Sequence, residues 1–209
     1  MPQNYLSESS HKSNRQIDRK SLRAEIKLRR ESLSTLQQQQ AEQQLVKKLS
    51  QHSAVTEAKH IAIYLSHKGE LQTQAFIQWC LQHQKHIYLP VIHPFCPGHL
   101  LFLRYNQDTE MVANHYGILE PKLKVKNVKP LPELDLILTP LVAFDDKGNR
   151  LGMGGGFYDR TLAACEQLPQ APKVIGLAHD CQQVESIPTE SWDIPLSEII
   201  TPSQRFICN

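Results

Sequence analysis

The stretch NRLGMGGGFYDR, Asn149 to Arg160, places Gly152, Gly154, Gly155 and Gly156 within five positions and follows them with Phe157, Tyr158, Asp159 and Arg160. The whole chain of 209 residues has only nine glycines, so this one segment concentrates nearly half of them. Glycine permits positive φ angles and lets the backbone approach a ligand closely. Successive bare N–H groups at a helix start form a cradle for anions, with the helix dipole behind them. Phosphate binding is the chemistry this pattern suits. Neither familiar phosphate loop fits, because a Walker A needs Gly-Lys followed by Ser or Thr, and the dinucleotide fingerprint needs glycine where Phe157 stands. A ligand-free turn between strand and helix is the bland alternative, and four glycines ahead of Tyr-Asp-Arg weigh against it. Asp159 falls in the first helical turn, where its carboxylate suits the positive dipole end. The same carboxylate could hold Mg²⁺ beside phosphates, and spacing alone leaves both roles open. Arg150 reads either as a phosphate clamp or as a surface turn residue.

A second basic element lies far away in sequence. Arg19, Arg23 and Lys27 are four apart and stack on one helical face, with Lys20 adjacent and Arg30 close behind. A stripe of this kind is usually a solvated face, yet it could also bring guanidinium groups to a phosphate bidentately. Glu70, in YLSHKGELQT, is a lone acid between a strand and a helix. It reads as a helix-start charge or as a carboxylate receiving the N–H groups of a heterocycle.

Bulk properties narrow the classes. The 23 basic and 21 acidic side chains give a formal charge of +2, too mild to point to nucleic acid as the main partner. Cys80, Cys96, Cys165, Cys181 and Cys208 form no CxxC pair, so neither a disulfide framework nor a zinc ribbon is indicated. The ten histidines are dispersed, and His93 and His99 lack thiols at finger spacing. No stretch approaches the roughly 20 apolar residues of a membrane span, and the polar start MPQNYLSESSHKSNRQ lacks a signal-peptide core. A soluble protein of the reducing cytoplasm is expected.

The elements that must position these residues follow from periodicity. Residues 1–13 are a polar, Ser-rich tail, and 14–209 read as a single α/β domain. A helix is expected from Asn14 on Ile17, Leu22, Ile26 and Leu33, then a second in SLSTLQQQQAEQQLVKKL, with Ser34 and Gln37 spaced as a capping box and Gln37 to Gln40 on its wet face. HIAIYLS reads as a strand, LQTQAFIQWCLQHQ as a helix, and HIYLPVI and HLLFLRY as further strands. After the polar link EPKLKVKNVKPLP, ELDLILTPLVAFD is apolar enough for a central strand buried on both faces. The glycine cluster, a helix YDRTLAACEQL, a strand KVIGLAH and a short strand near SEIIT complete the chain. Alternating strands and helices imply a mostly parallel sheet flanked by helices on both faces. The glycine cluster then sits between a buried strand and a helix, where such sheets hold their ligands.

RKSLRAEIKLRR, IAIYLSHKGELQT and DLILTPLVAFDDKGNRLGMGGGFYDR, continued through KVIGLAHDCQ and IPTESWDIPLSEIIT, resemble the 5-formyltetrahydrofolate cyclo-ligase (methenyltetrahydrofolate synthetase) family from about Arg15 to Thr201. The resemblance implies a three-layer αβα fold of the ribose-phosphate-isomerase and CoA-transferase-like type. It implies conversion of 5-formyltetrahydrofolate and MgATP to 5,10-methenyltetrahydrofolate, ADP and phosphate. Charge and hydropathy lead to the expectation of no nucleic-acid or membrane partner, and a monomer is expected. Carried over by position, Arg19, Lys20, Ser21, Leu22 and Arg23 would contact ATP. Arg150, Leu151, Gly152, Met153, Gly154, Gly155, Gly156, Phe157 and Tyr158 would wrap its phosphates, with Arg23 and Arg150 catalytic. Met153 to Phe157 would also border the folate, whose pterin would meet Leu65, Glu70 and Tyr116. Asp159 and Asp193 would support Mg²⁺. Some relatives carry a lysine where this chain has Gly155, which gives the backbone amides more of the work here. A non-catalytic formylfolate-binding or storage protein is the alternative, and the retained phosphate-binding residues argue against it.

Overall fold

The computed structural model describes residues 18–208, so the tail and the expected helical residues 14–17, Ile17 included, lie outside the described residues. Helix α1 (Arg19–Glu31) starts at Asp18, whose carboxylate accepts the N–H groups of Lys20 and Ser21. Helix α2 (Thr35–Ser50) begins with the expected capping box: Ser34 and Gln37 exchange side chain and backbone bonds, satisfying two donors that a helix start leaves free. Then follow α3 (Ser53–Glu57), β1 (His60–Ala62), α4 (Gln74–Gln82), β2 (His86–Ile92), β3 (Leu100–Tyr105), β4 (Met111–Ala113), β5 (Leu119–Pro121), β6 (Val128–Lys129) and β7 (Leu136–Pro140). The second half holds β8 (Ala143–Phe144), β9 (Arg150–Leu151), α5 (Phe157–Glu166), β10 (Lys173–Leu177), β11 (Glu198–Ile200) and β12 (Arg205–Ile207).

Eight of these strands form one sheet in the order β12-β11-β10-β7-β1-β2-β3-β6. Its inner five, β11 to β2, are parallel, and the outer three are antiparallel. Strand side chains alternate between faces. Ile61, Ile87, Leu89, Leu136, Leu138, Ile175 and Leu177 pack on Leu45 and Leu49 of α2 and Phe76 and Ile77 of α4. Ala62, Tyr88 and Ile137 face the other way, toward Cys165 of α5. Helices therefore cover both faces, as expected of a mostly parallel sheet. Helix α1 lies elsewhere: Leu22 and Ile26 pack on Val142, Ala143 and Leu151, in and beside the β8–β9 hairpin beyond the end of β7.

Three expectations are corrected. HIAIYLS forms a strand only over its first three residues; Ile63 still donates to the Tyr88 carbonyl, and the chain then turns away through Lys68 and Gly69. ELDLILTPLVAFD is not one strand but β7 followed by β8, because the chain leaves the sheet after Pro140 to build a hairpin with β9. The polar link contains β6, and ahead of it β4 and β5 form a separate hairpin.

The β8–β9 hairpin delivers Arg150 and the glycine loop, and its turn is tightly specified. Asp145, 1% exposed, accepts from the backbone N–H of Lys147, Asn149 and Ile187 and from the Asn149 amide. Gly148 adopts φ +80°, and a Cβ there would lie 2.1 Å from the Leu196 carbonyl oxygen and 2.9 Å from Cys208 Cβ. Gly148→Ala is therefore expected to lose about 2–4 kcal/mol of stability, from backbone strain and clash together. Urea denaturation checks this, and an unchanged midpoint would refute it.

Candidate active site

Beyond the end of β7, the turn after β1, the β4–β5 hairpin and the glycine loop enclose a cavity of about 350 Å³. Of the expected residues, Leu65, Glu70, Tyr116, Arg150, Gly152, Met153, Gly155, Gly156, Phe157, Tyr158 and Asp159 line it. Leu89, Leu100, Leu141 and Val142 supply an apolar floor, as small-molecule sites commonly have.

The loop and the basic helix meet. Arg23 Nε donates to the Gly152 carbonyl at 2.8 Å, and its guanidinium stands 3.7 Å from where a Cβ on Gly154 would be. Gly154 (φ +104°) and Gly156 (φ +65°) hold left-handed conformations, and Gly156 caps α5 with no side chain of its own. Gly155 is glycine for another reason: a Cβ there would lie 2.5 Å from the Phe157 ring. Any side chain at that position must displace Phe157. That ring in turn meets Tyr116 edge-on at 6.4 Å.

Two ion pairs frame the loop. Arg150, 3% exposed, donates from Nη2 to Asp159 Oδ1 at 2.6 Å, while its Nε has no partner. Burial pulls the Arg150 pKa down and Asp159 pushes it back up. Arg19 grips both oxygens of Asp193, which also accepts the Glu190 N–H. Burial opposes ionisation of Asp193, yet Arg19 and the Glu190 N–H outweigh it and hold the carboxyl below its usual range. Among the described residues Arg23 has no carboxylate partner; burial first, then the charge of Arg19, lowers its pKa.

Not every expected contact has its side chain at the cavity. Leu22 and Leu151 are buried in the apolar cluster under α1. Lys20 and Ser21 are exposed in its first turn, their N–H groups committed to Asp18. The basic stripe is not a solvated face: Arg19 and Arg23 are half-buried and Arg30 is 6% exposed, leaving Lys27 exposed beside Glu31.

Asp159 lines the cavity with its Oδ1 on Arg150, and its other oxygen suits a hard cation. Among the described residues no three His, Cys, Asp or Glu side chains cluster to hold a metal, so an ion here would draw its remaining ligands from phosphate and water. Sequence reasoning gave Arg160 no role. Its Nη1 donates to the Gly155 carbonyl at 2.8 Å and to the Gly98 carbonyl at 3.3 Å, tying the β2–β3 connection to the loop. The second partner is 62 residues away and left no local signal. The β4–β5 hairpin, which adds Asn114, Ile118, Leu119 and Glu120 to the wall, was findable from the Asn and Gly that bound its NHYG turn.

Glu70 is 9% exposed, accepts the His67 N–H at 3.0 Å and looks into the cavity. Burial raises its pKa; the His67 N–H and the charge of Arg30 oppose that without cancelling it.

An open α/β sheet with a glycine loop, arginines bonded to that loop and an apolar cavity beyond its strand ends has the build of a small-molecule enzyme. The similarities sharpen that class. Residues 15–202 match the 5-formyltetrahydrofolate cyclo-ligase family. The chain is 53% identical to the 5-formyltetrahydrofolate cyclo-ligase of Haemophilus influenzae, covering 87% of this chain and 96% of that one. It is 49% identical to the protein of the same name from Escherichia coli K12, over 86% and 97%. The structure of Aquifex aeolicus 5,10-methenyltetrahydrofolate synthetase superimposes with a TM-score of 0.76 at 25% identity, covering 90% of this chain and 92% of the other. This chain belongs to the 5-formyltetrahydrofolate cyclo-ligase family.

The raised pKa of Glu70 has a consequence for stability. A carboxyl whose folded pKa exceeds its unfolded value favours the fold below both values and weighs against it as pH rises through them. Glu70→Gln should therefore melt above wild type at pH 7 to 8, with the difference shrinking as pH falls into the carboxylate range. Thermal melts across pH check this, and a variant less stable at pH 8 would refute it.

Proposed function

We propose that this protein converts 5-formyltetrahydrofolate and MgATP into 5,10-methenyltetrahydrofolate, ADP and phosphate. The observation that carries the reading is the Arg23 guanidinium bonded to the glycine loop at the edge of an apolar cavity that also contains a buried carboxylate. The loop amides and Arg23 would receive the ATP phosphates, and Glu70, Leu65 and Tyr116 the pterin.

The chemistry asks for alignment and charge neutralisation. A formamide carbon is a poor electrophile, and its oxygen leaves badly. When the formyl oxygen attacks the γ-phosphorus and ADP departs, that oxygen becomes a good leaving group. N10 then attacks the formyl carbon, the ring closes, N10 loses its proton, and phosphate departs. Arg23 and Arg150 neutralise charge that develops on the transferred group, and the loop amides fix its position. Glu70 orients the pterin through its N–H groups and does not act on phosphorus. Asp159 would hold Mg²⁺, which when bound neutralises phosphate charge. Asp193 acts through Arg19, whose guanidinium it fixes. The protein would act as a monomer. The five free cysteines support a reducing, cytoplasmic setting, and no described helix is long and apolar enough to cross a membrane.

Mixing purified protein with 5-formyltetrahydrofolate and MgATP should generate the methenyl chromophore, stoichiometric with ADP. Arg23→Ala should lower kcat/KM for ATP by roughly 10²-fold, the usual cost of one transition-state charge contact, with formylfolate affinity nearly unchanged. Full activity in this variant would remove Arg23 from the reaction. Tight formylfolate binding without ATP turnover in wild type would make the protein a binder.

A further inference from the structure

Arg30 is the costly residue of the site. It sits in the last turn of α1, 6% exposed, with Nε and Nη1 both buried and without hydrogen-bond partners among the described residues. An apolar side chain there would avoid the desolvation of a charge. Its neighbourhood is specific. A Cβ on Gly69 would lie 3.7 Å from Arg30 Cβ and 3.8 Å from its carbonyl oxygen, so the His67–Glu70 turn is seated directly on this residue. The same turn holds Lys68 at φ +46°, a conformation L side chains rarely adopt, which marks it as held in place by its surroundings.

We propose that Arg30 is a positioning residue for pterin recognition: it supplies the buried positive charge that keeps the Glu70 carboxylate ionised and directed into the cavity when the pterin displaces water from it. This rests on the reading that Glu70 receives the pterin. The groups acting on Glu70 support it. Arg30 faces it from α1, the His67 N–H from its own turn, Tyr64 from the chain after β1 and Tyr158 from α5. His179, after β10, lies against the Glu70 backbone; burial first and then Arg30 push its pKa down to about 4, so it is neutral at pH 7. Among the described residues, Arg30 is thus the full cation found acting on Glu70. Without it, the loss of water as the pterin closes over the carboxylate would favour the protonated form, which cannot accept the pterin N–H groups at both oxygens.

A double-mutant cycle on the full-length protein tests this. Equilibrium binding of 5-formyltetrahydrofolate and the KM for ATP are measured for wild type, Arg30→Met, Glu70→Gln and the double variant. Arg30→Met should weaken formylfolate binding roughly tenfold, the scale of losing one charge partner at partly screened range, and leave the KM for ATP within about twofold. In the Glu70→Gln background the same substitution should add nothing, and Arg30→Lys should recover most of the affinity. If Arg30→Met does not fold, Arg30→Gln takes its place. Wild-type binding by Arg30→Met beside weak binding by Glu70→Gln would overturn the proposal alone. Equal losses in both backgrounds would also overturn it, since Arg30 would then act through packing. Wild-type binding by Glu70→Gln would overturn the Glu70 reading itself.

Discussion

The site depends on holding still a segment that is intrinsically the loosest in the chain. Four glycines in five positions give the backbone of Gly152–Gly156 the widest conformational choice available to it, yet an amide cradle works only if its N–H groups converge beforehand. The Arg150–Asp159 ion pair does most of this, because its partners stand immediately before and after the loop and close it like a clasp. Arg23 then takes the Gly152 carbonyl and Arg160 the Gly155 carbonyl. Guanidinium groups thus engage two loop carbonyls, which leaves loop N–H groups available for an anion. Since Arg150 is buried, removing Asp159 would strand an uncompensated charge, a loss of about 3–5 kcal/mol.

The same arrangement explains why the arginines are not equivalent. Arg19 and Arg150 each have a carboxylate, so their charge is largely answered within the protein. Arg23 has only carbonyl oxygens and lies close enough to Arg19 to feel its repulsion. A phosphate placed between them would relieve that repulsion, so Arg23 has the most to gain from an anion. Under the proposed function the pairs would set geometry, and Arg23, without a carboxylate among the described residues, would supply attraction.

Where the determinants are local, the sequence was legible. The Ser34–Gln37 capping box, the parallel inner strands and the glycine loop at a strand-to-helix junction all rest on contacts between near neighbours or on side-chain period. The edge strands and the β8–β9 hairpin were missed or merged, because Leu141, Val142, Ala143 and Phe144 continue the apolar run of β7 although they pack outside its sheet. Arg30 and Arg160 were illegible for a different reason. A buried arginine and an exposed one look alike in sequence, and their surroundings come from residues up to 150 positions away, such as His179 beside Arg30. The resemblance supplied Tyr116 and Asp193 and chose between the two readings that position alone left open for Glu70.

Unsatisfied groups show what this fold retains for function. Of five buried side-chain atoms without partners among the described residues, four belong to Arg30, Arg150 and His179, all beside the cavity or behind Glu70. Such atoms are rare in native structures because each forfeits a solvation bond without a replacement. Their concentration on one side of the molecule, with the raised pKa of Glu70 among them, means that this corner is less stable than its packing would allow. A ligand that supplied anions to the arginines and N–H groups to Glu70 would answer these groups. Binding energy and folding energy are then linked: whatever occupies the cavity should stabilise the protein by an amount that grows with the logarithm of its concentration over its dissociation constant.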